Sequence, residues 1–278
     1  GGTGGHFNPG LSVAREFVSQ GGQVVLLLGG THSESQAETA SKFGIQSMRI
    51  ASAPLPRGPV SALKFVFSTL SGLNSSSRLL KSFQPDALLA MGSFASLPPV
   101  LAAKFAGVPI FLHDGNAKLG RANKFLSRWA KALALSFPAP NSYDCNCPTI
   151  LTGMPLRQEI TGPQIAKSDA VSFVNSAFKA SFDASKPLLL AFGGSLGADT
   201  INKGVPAALK LLKEPPQIIH LAGPGRAEAV KKLYDGVKAK YLVLDSCYDM
   251  ARLYPAAEFV VCRSGGSTVS ELAVFGKC

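Results

Sequence analysis

Gly1-Gly2-Thr3-Gly4-Gly5-His6 opens the chain, and four glycines in five positions bring no side chains to pack. They let the backbone turn tightly and approach something flat or charged. From Phe7 to Gln20, apolar residues recur at Leu11, Val13, Ala14, Phe17 and Val18, close to helical spacing. Asn8 and Ser12 are candidate caps, and Pro9 suits a first helical turn. The stretch reads as a glycine turn feeding a helix N-terminus. Such an end carries partial positive charge and unpaired N–H groups, a seat for a phosphate or a polar sugar. Neither Gly-x-Gly-x-x-Gly nor Gly-Lys-Ser/Thr occurs here, which sets a dinucleotide fingerprint and a P-loop aside. An ordinary strand-to-helix turn is the plain alternative. No strand precedes the turn, so residue 1 reads as a cut edge.

Two later stretches repeat the pattern. Lys186 to Ala191 is a short apolar run ending in Phe192-Gly193-Gly194-Ser195-Leu196-Gly197-Ala198, and a helix is predicted over Ile201 to Leu212. Phe259 to Cys262 ends in Arg263-Ser264-Gly265-Gly266-Ser267-Thr268, with a helix predicted at about Val269 to Phe275. One strand–glycine–helix turn is common. Three, with Ser, Thr and an Arg alongside, suggest a cleft between two domains lined with N–H donors for a nucleotide's phosphates.

The segments between alternate in type. Strands are predicted at Gln23 to Gly30, Ile45 to Ile50, Asp86 to Met91, Pro109 to His113, Ala132 to Ser136 and, with a turn, Thr149 to Arg157. Helices are predicted at Ser35 to Phe43, Ser61 to Phe83, Leu97 to Phe105 and Lys124 to Ala134. Later strands fall at Gln217 to Ala222 and Tyr241 to Leu244, and later helices at Ala227 to Tyr234 and Met250 to Tyr254. Strand, helix, strand at this spacing means a parallel, doubly wound sheet, here twice over. Thr161 to Ser185 is polar and reads as an irregular junction between a domain at 1–160 and another at 186–278. Asp114-Gly115-Asn116 follows a strand, where the carboxyl end of a parallel strand faces a crevice. Part of Ser61 to Phe83 is apolar nearly all round, with Lys64, Arg78 and Lys81 close by. It is either a buried helix or an apolar patch with a basic rim that rests on lipid.

Composition narrows the setting. The 278 residues are enough for two domains, and 46% apolar with 16% charged content fits a well-buried globular protein. No apolar run reaches the roughly 18 residues of a membrane span. Five cysteines are an odd number at scattered spacings, and Cys145-Asn146-Cys147 lacks the second pair or histidines of a zinc site. No metal is expected, and the pattern suits a reducing, cytoplasmic compartment. The net charge is +11, of which +7 lies in residues 1–150. With no aromatic-basic nucleic-acid motif, no nucleic-acid partner is expected. An anionic membrane surface or a phosphorylated substrate accounts for the charge, as does plain solubility.

Taken together, GGTGGHFNPGL (1–11), FLHDGN…RAN (111–123), GMPLR (153–157), FGGSLGA (192–198) and CRSGGSTVSE (262–271) resemble the MurG-type glycosyltransferases. The resemblance runs in order over essentially the whole chain. It implies an α/β GT-B fold: two Rossmann-like, doubly wound domains facing across a cleft, the second one truncated here. It also implies inverting transfer of N-acetylglucosamine from UDP-N-acetylglucosamine to undecaprenyl-diphosphate-linked N-acetylmuramoyl-pentapeptide, without a cofactor. The donor would lie mainly on the second domain and the lipid acceptor against the first, at the cytoplasmic face of the plasma (inner) membrane.

Residue by residue, the resemblance places Thr3, Gly4 and Gly5 at the donor sugar and reaction centre. It makes His6 the candidate general base, a role that suits an imidazole near pKa 6.5. Asp114 would stand in the catalytic set. Asn116 and Arg157 would contact the donor, and Asn123 would lie toward the acceptor. Ser195 would face the nucleotide, and Cys247 would meet the uracil through its backbone. Arg263 would neutralise the departing diphosphate. Gly266, Ser267, Thr268, Val269 and Ser270 would present N–H groups to the phosphates, and Glu271 would accept hydrogen bonds from the ribose hydroxyls. The alternatives are ordinary: a loop hydrogen bond for His6, a surface ion pair for Arg263, a helix-face carboxylate for Glu271. No Asp-x-Asp occurs, so helix dipoles and Arg263 would take the part of a metal held by that motif.

There are departures. The family often has Glu-Gln where this chain has Asp114-Gly115, and Gln at Leu196, which removes an amide from each of two donor-sugar contacts. The resemblance also implies a segment after Gly276 that brings a Gln and an Asn to the donor sugar. Rival readings are another GT-B transferase acting on a lipid such as diacylglycerol, and a non-catalytic module docked on a membrane. A Rossmann oxidoreductase is disfavoured, since Gly29-Gly30-Thr31 carries no acidic residue to hold a ribose.

Overall fold

In the computed structural model, the residues described are 4–53, 55–56, 58–138 and 145–277. They form two compact units, Gly1–Arg157 and Gln158–Cys278. The expectation for Thr3 lies outside the described residues.

The first unit begins with α1 (Gly4–Ser19), β1 (Val25–Leu28), α2 (Ser33–Ser41) and β2 (Gln46–Arg49). Then follow the long α3 (Pro59–Phe83), β3 (Leu88–Ala90), α4 (Leu97–Ala106), β4 (Ile110–Asp114), α5 (Arg121–Leu126), β5 (Ala132–Leu135) and β6 (Thr149–Leu151). All strand pairs are parallel, but they make two sheets where one was expected: β1-β2, and β3-β4-β5-β6. Phe7, Leu11 and Ala14 of α1 pack on Leu28, Ala40 and Ile45. Leu112, Leu126 and Leu133 centre the core of the larger sheet.

α1 already includes Gly4, so Asn8 and Ser12 lie inside the helix and cap nothing; the Ser12 hydroxyl donates to the Asn8 carbonyl at 3.0 Å. The helix predicted over Lys124 to Ala134 is shorter: α5 ends at Leu126, a 3₁₀ turn covers Ser127–Trp129, and Ala132 already pairs as β5. Strand pairing of Leu133 with Leu112 overrides the local helical pattern there.

In the second unit the expected irregular junction is largely helical: α6 (Gln158–Thr161) and α7 (Lys167–Phe178). α7 buries Ala170, Val171 and Val174 on one side, spacing that the surrounding polar residues obscure. Then come β7 (Leu188–Phe192), α8 (Asp199–Lys210), β8 (Gln217–Leu221), α9 (Ala227–Leu233), β9 (Tyr241–Leu244), α10 (Met250–Ala256), β10 (Phe259–Cys262) and α11 (Gly266–Val274). The strands form one parallel sheet in the order β10-β7-β8-β9. The chain moves outward from β7 through β8 to β9, then crosses back to lay β10 on the other side of β7. That reversal is a topological switch point, where open α/β sheets bind ligands outside the strands' carboxyl ends.

Beneath this sheet lies a buried polar chain. The His220 ring meets the Tyr234 hydroxyl through Nδ1 at 2.7 Å and the Asn202 Oδ1 through Nε2 at 3.1 Å. The Asn202 amide donates to the Ala222 carbonyl at 2.8 Å, so its Oδ1 is the acceptor and His220 carries its proton on Nε2. Burial pushes His220 down to about 4 from an ordinary 6.5. The folded value is the lower one, so between pH 6.5 and 4 the unfolded chain binds the extra proton. The second unit is therefore expected to keep full stability above pH 6.5 and to lose up to about 1.4 kcal/mol per pH unit below it. Urea unfolding at pH 7 and pH 4.5 checks this: His220→Gln should flatten the difference, and an equal slope in both proteins would refute it.

Candidate functional site

In the first unit the ends of β3 and β4 lie side by side, Leu112 opposite Ala90. β3 runs into Gly92 (φ +87) and Ser93 (φ +70, ψ 154), the latter in a region that glycine alone adopts freely. Such strain costs on the order of 1–3 kcal/mol and gathers at functional sites. A Cβ on Gly92 would stand 3.2 Å from Cδ2 and 3.4 Å from Nε2 of His6, and 3.3 Å from the Asn123 amide nitrogen. The bare glycine thus lets a histidine from α1 and an asparagine from α5 meet over the end of β3.

Asp114 organises this place. It is buried, and its Oδ1 accepts from the backbone N–H of Asn116 at 3.0 Å and from the Asn116 amide at 3.1 Å. Its Oδ2 accepts from the Gly120 N–H at 2.9 Å and the Asn123 amide at 3.0 Å. The Asn123 amide also reaches the His113 carbonyl at 2.9 Å. A carboxylate accepting four bonds fixes the loop from Gly115 to Gly120 and the start of α5 as one piece. Burial lowers the pKa of His6 below the ordinary 6.5, and the Asp114 charge pulls part of the way back. His6 is held neutral near pH 7, the form able to take a proton.

The sequence reading passed over His113, a neighbour of this cluster. It is buried, its Nε2 lies 3.0 Å from the Ser136 hydroxyl, and burial lowers its pKa against the pull of Asp114 and a bond to the Gly153 backbone. Its placement beside Asp114 at a strand end was the available signal. Of the other residues expected in this unit, Gly4 and Gly5 sit in the first turn of α1, Asn116 is exposed on the loop Asp114 holds, and Arg157 is half-buried at the unit's end.

In the second unit the expected residues other than Cys247 lie on the turns that leave the switch point or on α11, which follows one of them. Cys262 pairs with Phe192 at the ends of β10 and β7, so the turns after them leave side by side. Ser195 is exposed in the first of these turns and Arg263 in the second. The helices that follow have Ala198 and Gly265 at their N-cap positions, neither of which has a side chain that caps the first N–H groups. Gly266, Ser267, Thr268, Val269 and Ser270 form the first turns of α11, and Glu271 lies just beyond, buried. Cys247 is half-buried in the loop after β9, at the far edge of the sheet from β10. No group of three or more His, Cys, Asp or Glu able to hold a metal occurs among the described residues.

The comparisons with known proteins define the class. The model of the glycosyltransferase family 28 N-terminal domain matches residues 1–135, and that of the C-terminal domain matches 188–278. A UDP-N-acetylglucosamine–N-acetylmuramyl-(pentapeptide) pyrophosphoryl-undecaprenol N-acetylglucosamine transferase of Pelobacter propionicus is 35% identical over the whole chain and 76% of its own length. Its namesake in Ectopseudomonas mendocina is 37% identical, over 99% of this chain and 74% of its own. The crystal structure of Acinetobacter baumannii MurG superposes with a TM-score of 0.69 at 31% identity, covering 99% of this chain and 74% of that one. A glycosyltransferase from Rickettsia africae shares the fold at 14% identity, with a TM-score of 0.62 over 93% of this chain and 69% of its own. The chain belongs to the MurG-type transferases of glycosyltransferase family 28, which have the GT-B fold.

Proposed function

We propose that this protein transfers N-acetylglucosamine from UDP-N-acetylglucosamine to undecaprenyl-diphosphate-linked N-acetylmuramoyl-pentapeptide, with inversion at the anomeric carbon. The observation that carries this is the pair of glycine turns, each opening an uncapped helix, side by side at the β7/β10 switch point. The names of the relatives supply the substrates.

In this reading the second unit holds the donor. Breaking the sugar–phosphate bond builds negative charge on UDP, and N–H groups at the start of α11, with Ser195 and Arg263, stabilise it. Each charge-assisted bond contributes about 1.5–3 kcal/mol. Glu271 takes the ribose diol, and the Cys247 backbone takes the uracil. The first unit serves the acceptor: neutral His6 removes the proton of the attacking hydroxyl, and Asn123 orients it. With its carboxylate engaged by four donors, Asp114 serves the expected catalytic set in this reading by positioning Asn116 and Asn123.

The full-length protein given labelled UDP-N-acetylglucosamine and the lipid-linked muramoyl-pentapeptide should form the disaccharide lipid. No transfer, or transfer to diacylglycerol alone, overturns the reading.

The acceptor's lipid implies a membrane. No described helix is long and apolar enough to cross one. α3 instead buries only Gly72, Ser76 and Leu80 and leaves Leu63 and Phe67 at 60% and 64% exposure. The buried-helix alternative for this stretch thus gives way to an exposed apolar face, beside Lys64. Arg128 over Phe125 and Lys104 over Trp129 make a second aromatic and basic surface in the same unit. Peripheral attachment to an anionic leaflet fits both. Leu63→Asp with Phe67→Asp should weaken binding to phosphatidylglycerol vesicles by roughly tenfold or more, since each apolar side chain contributes about 1.5–3 kcal/mol when buried. Unchanged sedimentation with vesicles would count against this face.

A further inference from the structure

Tyr254 on α10 is fully buried, and its ring packs against Phe275 and Phe192 at centroid distances of 5.2 and 6.2 Å. Its hydroxyl donates to Glu271 Oε2 at 2.7 Å. Sequence reading assigned it no role, placing it only at the end of a short helix. We infer that Tyr254 is a positioning residue which sets the carboxylate plane of Glu271 to receive the vicinal diol of a nucleotide's ribose. This rests on the proposed assignment of Glu271 to the ribose.

The argument is one of torsions and burial. The last torsion of a glutamate is broad and roughly two-fold, so rotamer preference does not orient its two oxygens. A diol needs both of its O–H groups aimed at acceptors, and a carboxylate that swings about that torsion offers them only part of the time. An O–H anchored from a rigid, ring-packed tyrosine fixes the plane. Glu271 is also buried, and a carboxylate taken from water without a hydrogen bond is costly. The tyrosine offsets that penalty before any ligand arrives. α10 is placed to do this because it leads directly into β10, whose far end opens α11. The phenol and the carboxylate therefore come from the two helices that flank one strand of the switch point.

The test compares Tyr254→Phe, which removes the hydroxyl and keeps the ring, with Glu271→Gln. Both are assayed in the full-length protein with UDP-N-acetylglucosamine and with its 2′-deoxyuridine counterpart. The expected result for Tyr254→Phe is a KM for UDP-N-acetylglucosamine raised about tenfold, with kcat within a factor of about two. The wild type's preference for the ribo over the deoxy donor should shrink by a similar factor. A ratio of two donors on one sample does not depend on how much of it is folded. If Glu271→Gln loses the preference and Tyr254→Phe keeps it, the positioning role is overturned while the ribose assignment stands. If neither variant changes it, the ribose assignment fails and the inference with it. A lower melting temperature for Tyr254→Phe with the donor preference intact would show a bond that serves stability alone, and would overturn the inference too.

Discussion

His6→Ala is expected to lower kcat for sugar transfer by about 10²–10⁴-fold, the range for loss of a positioned general base, with the donor KM little changed. The base must be neutral to work, and burial holds His6 below its ordinary pKa. Activity that depends on it is present at neutral pH and lost as pH falls through that lowered value. The wild-type kcat profile should therefore show an acid limb below pH 6.5, and the residual activity of His6→Ala should lack it. Because the ring lies against Gly92 and beside Asn123, His6→Gln serves as a control that refills the space without a base in this pKa range. Full turnover in either variant, or an acid limb that survives the substitution, would remove His6 from the mechanism and leave the family assignment intact.

Gly197→Ala should be strongly damaging to the second unit. Gly197 has φ +72, and a Cβ there would stand 2.1 Å from the Ala222 carbonyl oxygen and 2.9 Å from its carbon. Both obstacles are backbone at the end of β8, so no side chain can swing away. The left-handed backbone alone costs roughly 1–2 kcal/mol for a residue with a Cβ. Separating the β7–α8 loop from the end of β8 adds to that, and a total above about 4 kcal/mol is expected. Gly194, three residues earlier, is the internal control. It has φ +83 with nothing within 4 Å of its Cβ position, so Gly194→Ala meets the backbone penalty alone. Urea unfolding of the two variants separates the terms. UDP binding should vanish with Gly197→Ala, because the displaced loop carries Ser195 and leads into α8. Equal losses at the two glycines would contradict the packing account.

Much of this was legible in the residues. β7 is buried at every position, and a continuous apolar run bounded by glycines is what a strand covered on both faces must look like. The glycine turns after β7 and β10 were readable for the same reason: a stretch without side chains between a strand and a helix has few uses. The turn expected over Gly1 to His6 is instead helical from Gly4 onward, and Gly1 to Thr3 lie outside the described residues. Where reading failed, a tertiary contact had overruled a local pattern. Ala132 to Leu135 continues a helical spacing but pairs with β4 and β6. The stretch from Thr161 to Ser185 looks irregular because its apolar residues are few, yet three of them suffice to seat α7. For α3 the sequence favoured a buried helix over a lipid-facing patch, and the fold exposes its apolar face, since an apolar surface facing solvent and one facing a core have the same composition.

The order of residues alone settled the family, the alternation of strand and helix, and the positions of the two glycine turns in the second unit. Those are local properties, written in spacing and in the absence of side chains. Which groups meet was decided by the fold. Asp114 binding Asn116, Gly120 and Asn123, His6 lying against Gly92, and Tyr254 holding Glu271 join residues from 2 to 86 apart in the chain. No periodicity encodes such encounters, because they depend on strand order, and strand order is a property of the packed sheet.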